Sequence, residues 1–349
     1  MLAIARTTTK STEGMRPFDM RRDLAPLADL VELTFASDPD GMCRSVVSEM
    51  RRAARTGPAL WLAAASDSGN GSMMGGYVWM AGKRLVGNVT LCRDSSYADL
   101  WVISNVAVHP DYRRRGIAEQ LLTAALLDAA RRRARAVVLE VQKENQVARH
   151  LYDRLGFVIY DSVAELCRSA STGTTAQLRT SEPGAESAVR RQRAGDCRGL
   201  CDLLRQVTPP AAQAIRPVRE SDFRPGLGAR LDRLLDDWLF RRQHGSWVLE
   251  RGGGIAALLQ ITGQYAYDSH RLKLIVRPSE RGALEEPLLS FGLSWLARFP
   301  DRPAWAVVSC SHPEALSCFE RSGFKTMRVL DQMQIRPTTL SESPTGARK

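Results

Sequence analysis

Two short patterns occur twice in this chain, and their repetition constrains the fold more than any other feature. Val108-x-Pro110-x-x-Arg113, followed by an apolar run, returns as Val276-x-Pro278-x-x-Arg281. Ala148, Tyr152 and Phe157 return at the same spacing as Ala315, Phe319 and Phe324. The openings match as well: Asp23, Leu27 and Leu30 stand at steps of four and three, and so do Asp196, Leu200 and Leu203. A repeat of this period predicts two copies of one domain. The 349 residues are a natural length for two cores. Between the copies, residues 169–187 are dominated by Ser, Thr, Gly, Ala and Pro and lose hydrophobic periodicity, as a flexible linker does. The expected division is one domain over 15–168, a second over 188–336 and a disordered tail over 337–349.

Composition narrows the class. With 44% hydrophobic and 25% charged residues, the chain is neither disordered, collagenous nor coiled coil as a whole. No apolar stretch approaches the roughly 20 residues that span a bilayer. Seven cysteines, an odd number without a C-x-x-C pair, fit a reducing cytosol, so a cytoplasmic location is expected. The first 14 residues read as a frayed tail rather than a transit segment. Five dispersed histidines offer no zinc or iron spacing, and no metal is expected. The net charge of +11 raises the question of nucleic acid. However, Arg131, Arg132, Arg133 and Arg135 end a helix, where cations complement the macrodipole, and no basic stripe is interleaved with aromatics. Neither nucleic acid nor membrane is an expected partner.

Periodicity in the first copy predicts helices over Arg16–Val31 and Cys43–Arg55, then strands over Tyr77–Met80, Leu85–Cys92 and Trp101–Val108. A helix over Gly116–Arg133, a strand over Ala136–Val141, a helix over Gln146–Leu155 and a strand from Phe157 follow. The fold class is α/β (α+β), each domain a mixed, mostly antiparallel sheet flanked by helices. At Val106–Leu122 a strand end, a tight turn and a helix start meet. First-turn N–H groups lack internal partners, and with the positive end of the macrodipole they bind anions. Arg113, Arg114 and Arg115 add charge beside them, and Gly116 and Ala118 allow close approach of the backbone.

Arg113, Gly116 and Ala118 follow the R/Q-x-x-G-x-G/A pattern, and in these residues the chain resembles the GCN5-related N-acetyltransferase (GNAT) superfamily. The segment Leu139–Phe157 resembles a second motif of that family along its length. The resemblance implies a tandem protein of this fold with acetyl-coenzyme A as cosubstrate. The amides of Arg114, Arg115, Gly116, Ile117 and Ala118 would hold its pyrophosphate, and strand Val106, Ala107 and Val108 would pair with its pantetheine arm. Asn145 would bond the same arm, and Tyr152 would lie near the thioester sulfur. The twelve-residue spacing from Glu140 to Tyr152 resembles that of the ribosomal-protein alanine N-acetyltransferase branch, whose glutamate and tyrosine act as base and acid. Acetyl transfer to an amine needs one proton acceptor and one donor. Tyr152 is either that donor or a helix residue packed on the sheet. Glu140 is either the base or an acceptor of backbone or Lys143 hydrogen bonds, with Asp99 and Asn105 as alternative relays through water.

In the second copy the turn has one residue fewer before its helix, and Glu285, Glu286 and Pro287 fall where phosphate should sit. Two carboxylates repel a diphosphate, and proline removes a donor. Phe319 and Val307 replace Tyr152 and Glu140. This copy is expected to be silent, with His312 as a cap or surface residue, and Cys197 and Cys201 in the core. Trp238, Trp247, Trp295 and Trp305 are expected as core and groove aromatics. The expected activity is acetyl transfer to a primary amine, on a small molecule or a peptide N-terminus, without a covalent enzyme intermediate. The alternative is a non-enzymatic acetyl-coenzyme A sensor. The second copy is expected to complete the acceptor groove or to form a homodimer surface.

Overall fold

The computed structural model describes residues 13–35, 75–94, 96–170, 189–223, 242–265 and 269–337, together with 47, 48, 50, 51 and 54. Trp238, nearly all of the expected linker and tail, and most of the expected Cys43–Arg55 helix lie outside the described residues. The chain forms two compact units: residues 1–139, 150–157 and 334–349 in one, 140–149 and 158–333 in the other.

The first unit opens with β1 (Glu13–Pro17) and α1 (Met20–Thr34), so a short strand takes the first residues of the expected opening helix. Then come β2 (Gly75–Ala81), β3 (Arg84–Arg93), β4 (Leu100–Val108), α2 (Ile117–Arg131) and the start of β5 (Ala136–Gln142). Strands β1 to β4 are antiparallel neighbours in sequence order, with short turns joining β2 to β3 and β3 to β4. β4 and β5 pair in parallel through only three residue pairs, Leu100–Val102 against Ala136–Val138. Beyond Val102 the last six residues of β4 pair with no strand on that side among the described residues. The apolar spacing read from the sequence is what buries α1 and α2. Leu24, Leu27, Ala28, Leu30 and Val31 face inward on α1; Leu121, Leu122, Ala125 and Leu126 do so on α2.

α3 (Gln146–Arg154) spans the boundary, its first four residues grouping with the second unit. The second unit continues with β6 (Val158–Arg168), β7 (Val189–Arg191), α4 (Cys197–Val207), α5 (Pro210–Ile215) and β8 (Arg242–Arg251). β9 (Gly254–Gln264), β10 (His270–Val276), α6 (Glu285–Leu296), β11 (Ala304–Ser309), α7 (Pro313–Arg321) and β12 (Lys325–Ile335) complete it. Its core packs Leu288, Leu289 and Leu293 of α6 against Leu259, Ile261 and Leu274, with Trp247 and Trp295 buried among them and Trp305 half-buried on β11. Cys197 and Cys201 are buried, as expected.

The repeat is visible in side chains as well as in elements. Arg16 grips Asp23 through two hydrogen bonds of 2.6 Å, and Arg190 grips Asp196 through two of 2.8 Å. Burial opposes the Asp23 charge most strongly, but the Arg16 hydrogen bonds, the Asp19 N–H and the nearby charges of Arg16 and Arg22 together outweigh it and hold the carboxyl below its ordinary range. Arg190 does the same for Asp196. In both copies an arginine on the first strand therefore fixes the start of the first helix. The parallel ladder is also repeated: β10 and β11 pair through three residues, His270–Leu272 against Ala304–Ala306.

Within the second unit the strand order is β5-β12-β6-β11-β10-β9-β8-β7. The last strand of each copy has therefore changed places. β6, from the first copy, pairs with β11 through Arg168–Val163 against Ala304–Ser309. β12, from the second copy, lies against β5, where Lys143 N–H donates to Val329 O at 2.9 Å. Half-buried ion pairs fasten the exchange. Arg328 holds Glu165 at 2.6 Å, and the buried Asp331 accepts from Ser162 at 2.7 Å and lies 3.3 Å from Arg149.

Candidate functional site

β4 ends at Val108, and one turn of 3-10 helix, Pro110–Tyr112, reverses the chain. Arg113 is extended, and Arg114 (φ 64°) and Gly116 (φ 73°) are left-handed, so the chain swings into α2 at Ile117. No side chain caps α2, and its first internal bond at this end is Gln120 N–H to Gly116 O at 3.1 Å. The N–H groups ahead of Gln120 are thus free of intrahelical partners, at the positive end of a 15-residue helix. Arg113 donates to Val108 O at 3.2 Å. Arg115 donates to Asp111 O at 2.9 Å and stacks 4.7 Å above the Tyr112 ring. Arg114 is exposed and pairs with no acid among the described residues. A groove of about 510 Å³ opens beside Gly116 and runs past Gln120, Thr123 and Leu127 to Met15.

Two supports of this turn escaped the sequence reading. Gly87 on β3 faces the first turn of α2: a Cβ there would stand 2.9 Å from Ile117 Cγ2 and 3.1 Å from Leu121 Cδ1. A glycine inside a strand pattern, the usual mark of close approach, was the available signal. The second support is a bulge in β4. The β3–β4 register skips between Asn88 and Thr90, and Asn105 sits at φ 50°. Asn88, fully buried, donates to Asn105 O at 2.8 Å and to Thr90 Oγ1 at 3.2 Å, and its own Oδ1 has no partner. Asn105, anticipated as a relay, accepts from Asn88 through its main-chain O, and its own Nδ2 lies 3.5 Å from Thr90 Oγ1. Beyond it Ala107 is buried and Val106 and Val108 are half-buried.

The other expected residues are placed by β5 and α3. Tyr152 is buried on α3, edge-on to Phe157 at 5.8 Å, and burial pushes its phenol up to about 12, so it stays an O–H donor at neutral pH. Glu140 stands exposed on β5 and accepts from Gln332 Nε2 at 2.8 Å, neither from Lys143 nor from backbone. Asn145 caps α3, its Oδ1 accepting from Ala148 N–H at 3.1 Å, which leaves its Nδ2 as the available donor. Glu140 and Asn145 group with the second unit and Tyr152 with the first. Asp99, the other anticipated relay, is tied to Arg135 at 2.8 Å.

The second copy repeats this turn and fills it. Pro278–Glu280 is again one 3-10 turn, Gly282 is left-handed at φ 85°, and α6 begins at Glu285. Each helix starts four residues after its arginine, Ile117 after Arg113 and Glu285 after Arg281, so the loop is not shorter as expected. The carboxylate of Glu285 folds back into the turn. Its Oε2 accepts from Gly282 N–H at 2.8 Å and its Oε1 from His312 Nε2 at 2.8 Å. His312 stands at the N-cap position of α7, as expected, although its side chain makes no cap hydrogen bond; it is buried rather than at the surface, and its ring bonds the buried Glu285. The β9–β10 register is unbroken, without the bulge of β4. Phe319 occupies the place of Tyr152, edge-on to Phe324 at 5.0 Å, and Val307 is exposed where the first copy has Glu140.

Residues 44–157 match the acetyltransferase (GNAT) family. Among solved structures, a tandem GNAT protein from the clavulanic acid biosynthesis pathway aligns over 96% of this chain and 100% of its own, with a TM-score of 0.57 at 15% identity. A GCN5-related N-acetyltransferase from Sphaerobacter thermophilus aligns over 93% and 96%, with a TM-score of 0.61 and 15% identity. At these identities the likeness is one of fold. No curated protein matches the chain.

Proposed function

We propose, from the premise that residues 44–157 form a GNAT-family domain in a chain with the tandem form of that fold, that this protein is an acyltransferase moving acetyl from acetyl-coenzyme A to a primary amine. The acceptor is an amine-bearing small molecule or a peptide N-terminus. The observation that carries the reading is the uncapped start of α2, lined by Arg113, Arg114 and Arg115, in the copy whose counterpart holds its own carboxylate. The copy over 15–168 is catalytic and that over 188–336 is silent.

The amides of Arg114 to Ala118 suit a diphosphate, because they present several N–H donors and no acid within the turn. The main chain of Val106, Ala107 and Val108, without a β5 partner, suits the amides of the pantetheine arm, and Asn145 keeps its Nδ2 as a donor for the same arm. Glu140 takes the amine proton as the nitrogen bonds to the thioester carbon. The C–S bond breaks, and the departing thiolate meets the Tyr152 O–H. Transfer is direct. Burial pushes the Cys92 and Cys318 thiols up to about 11 and raises those of Cys201 and Cys310, so these cysteines are poor nucleophiles at neutral pH. The cysteines among the described residues are free thiols, and no helix there is long and apolar enough to cross a membrane, both in keeping with a cytoplasmic enzyme.

The test is thiol release from acetyl-coenzyme A with a panel of amines. The native protein is expected to turn over at least one amine class. Tyr152→Phe is expected to lose on the order of 100-fold in kcat with little change in KM. With the phenol held at about 12, no alkaline limb from Tyr152 is expected below about pH 10. Tight coenzyme binding with no turnover on any amine would instead establish the sensor.

A further inference from the structure

We infer that Gln332, in the last strand of the silent copy, is a positioning residue for Glu140 in the catalytic one. The inference rests on the acyl-transfer reading above and gives the second copy a part in the reaction. Its basis is the strand exchange. Lys143 N–H meets Val329 O at 2.9 Å, and Glu140, three residues back along β5, meets Gln332, three residues on along β12, at 2.8 Å. The two contacts run in opposite senses along the strands, as an antiparallel ladder requires, so Gln332 stands directly across from Glu140.

The other half of the exchange shows that this choice of residue is specific. There, Glu165 of β6 stands directly across from Val307, the counterpart of Glu140. That carboxylate is turned to Arg328 at 2.6 Å. Each exchanged strand therefore carries a long polar side chain at the matching position. It is an acid where it faces valine and a neutral carboxamide where it faces an acid. Like charges directly across a ladder destabilise it, whereas a carboxamide can donate to the carboxylate. The consequence for Glu140 is orientation. An exposed glutamate at a strand end samples several rotamers, and a hydrogen bond donated to its Oε1 selects among them while leaving the other oxygen free.

The experiment is a double-mutant cycle on the full-length chain, with steady-state acetyl transfer to the best amine of the panel. Gln332→Met keeps the length of the side chain and removes the donor. It is expected to lower kcat about tenfold, the scale of one charge-assisted hydrogen bond, with the acetyl-coenzyme A KM held within about twofold. Gln332→Glu, which adds repulsion, is expected to lose more, and Gln332→Asn, a carboxamide on a shorter arm, to lose less. In a Glu140→Ala background, Gln332→Met is expected to change nothing further, because the residue it positions is gone. A general structural role predicts the same loss in both backgrounds. That result, or full activity of Gln332→Met in the native background, overturns the inference while leaving the acyl-transfer reading intact. Should Gln332→Met fold poorly, Gln332→Asn completes the same cycle. Absence of turnover by the native protein with every amine overturns both readings together.

Discussion

The starts of α2 and α6 are built from one backbone plan and end in opposite states. Each follows a strand end, one 3-10 turn, an extended arginine and a left-handed residue, and each helix begins four residues after the arginine. At α2 no side chain among the described residues caps the first turn. At α6 the carboxylate of Glu285 reaches back to Gly282 N–H and His312 and closes it. The second copy thus keeps the turn and satisfies it from within, the Glu285 carboxylate taking the Gly282 N–H. Donors left open favour a ligand and cost stability, whereas a donor held by the chain's own carboxylate adds stability.

The largest effect is expected where this comparison is reversed by removing the internal anion. Glu285→Ala leaves Gly282 N–H and a buried His312 without their partner. Breaking a buried pair from one side costs about 3–5 kcal/mol. Denaturant unfolding should show that loss, and formate or acetate at high concentration should restore part of it by refilling the space, with no comparable effect on the native protein. If small carboxylates stabilise native and variant alike, Glu285 is an ordinary core acid and the comparison fails.

The converse change places an acid in the open turn. Ala118 and Glu286 are the second residues of their helices, so Ala118→Glu gives α2 the charge that α6 already carries. Like charges at contact distance in a partly exposed site cost about 1–4 kcal/mol. Coenzyme affinity measured by calorimetry should fall by about one to three orders of magnitude, and the melting temperature of the free protein should hardly move. Unchanged affinity would place the diphosphate elsewhere.

How far the sequence revealed this depended on whether a feature is local. The strands β2 to β5, the helices α2 and α3, and the uncapped turn were legible, because apolar period, Gly116 and the arginines act within a few residues. The repeated Asp-Leu-Leu spacing was legible too, although the arginines that clamp Asp23 and Asp196 were not, since they lie a strand away. Exchange of β6 and β12 left no trace in the sequence. Alternation along a strand says which face is buried and is silent about which neighbour it pairs with. For the same reason, Gln332 carried no signal as a partner of Glu140. The two acids at α6 are visible in the sequence as a charge conflict at the turn; that Glu285 bonds back into it, to Gly282 N–H and to His312 27 residues away, is not. Asn145 shows a milder version: its Oδ1 accepts from Ala148 N–H within the chain and caps α3.

The smallest expected effect separates shape from conformation. Gly116 is left-handed, whereas its counterpart Leu284, the residue just before α6, has φ −104°. The closed turn therefore accepts a side chain at this position, and the open one demands glycine. Space is not the reason: a Cβ at Gly116 would approach only Gln120 Nε2, at 3.7 Å. The cost of Gly116→Ala is then backbone strain alone, about 1 kcal/mol. It should appear as a small drop in stability of the coenzyme-free protein. If the left-handed cap is what aims the α2 amides, coenzyme affinity should fall by a further few-fold, as strain is relieved by turning the first N–H groups away. A stability loss with unchanged affinity would show that the cap sets only the path of the chain, and that the difference between the two turns lies wholly in the Glu285 carboxylate.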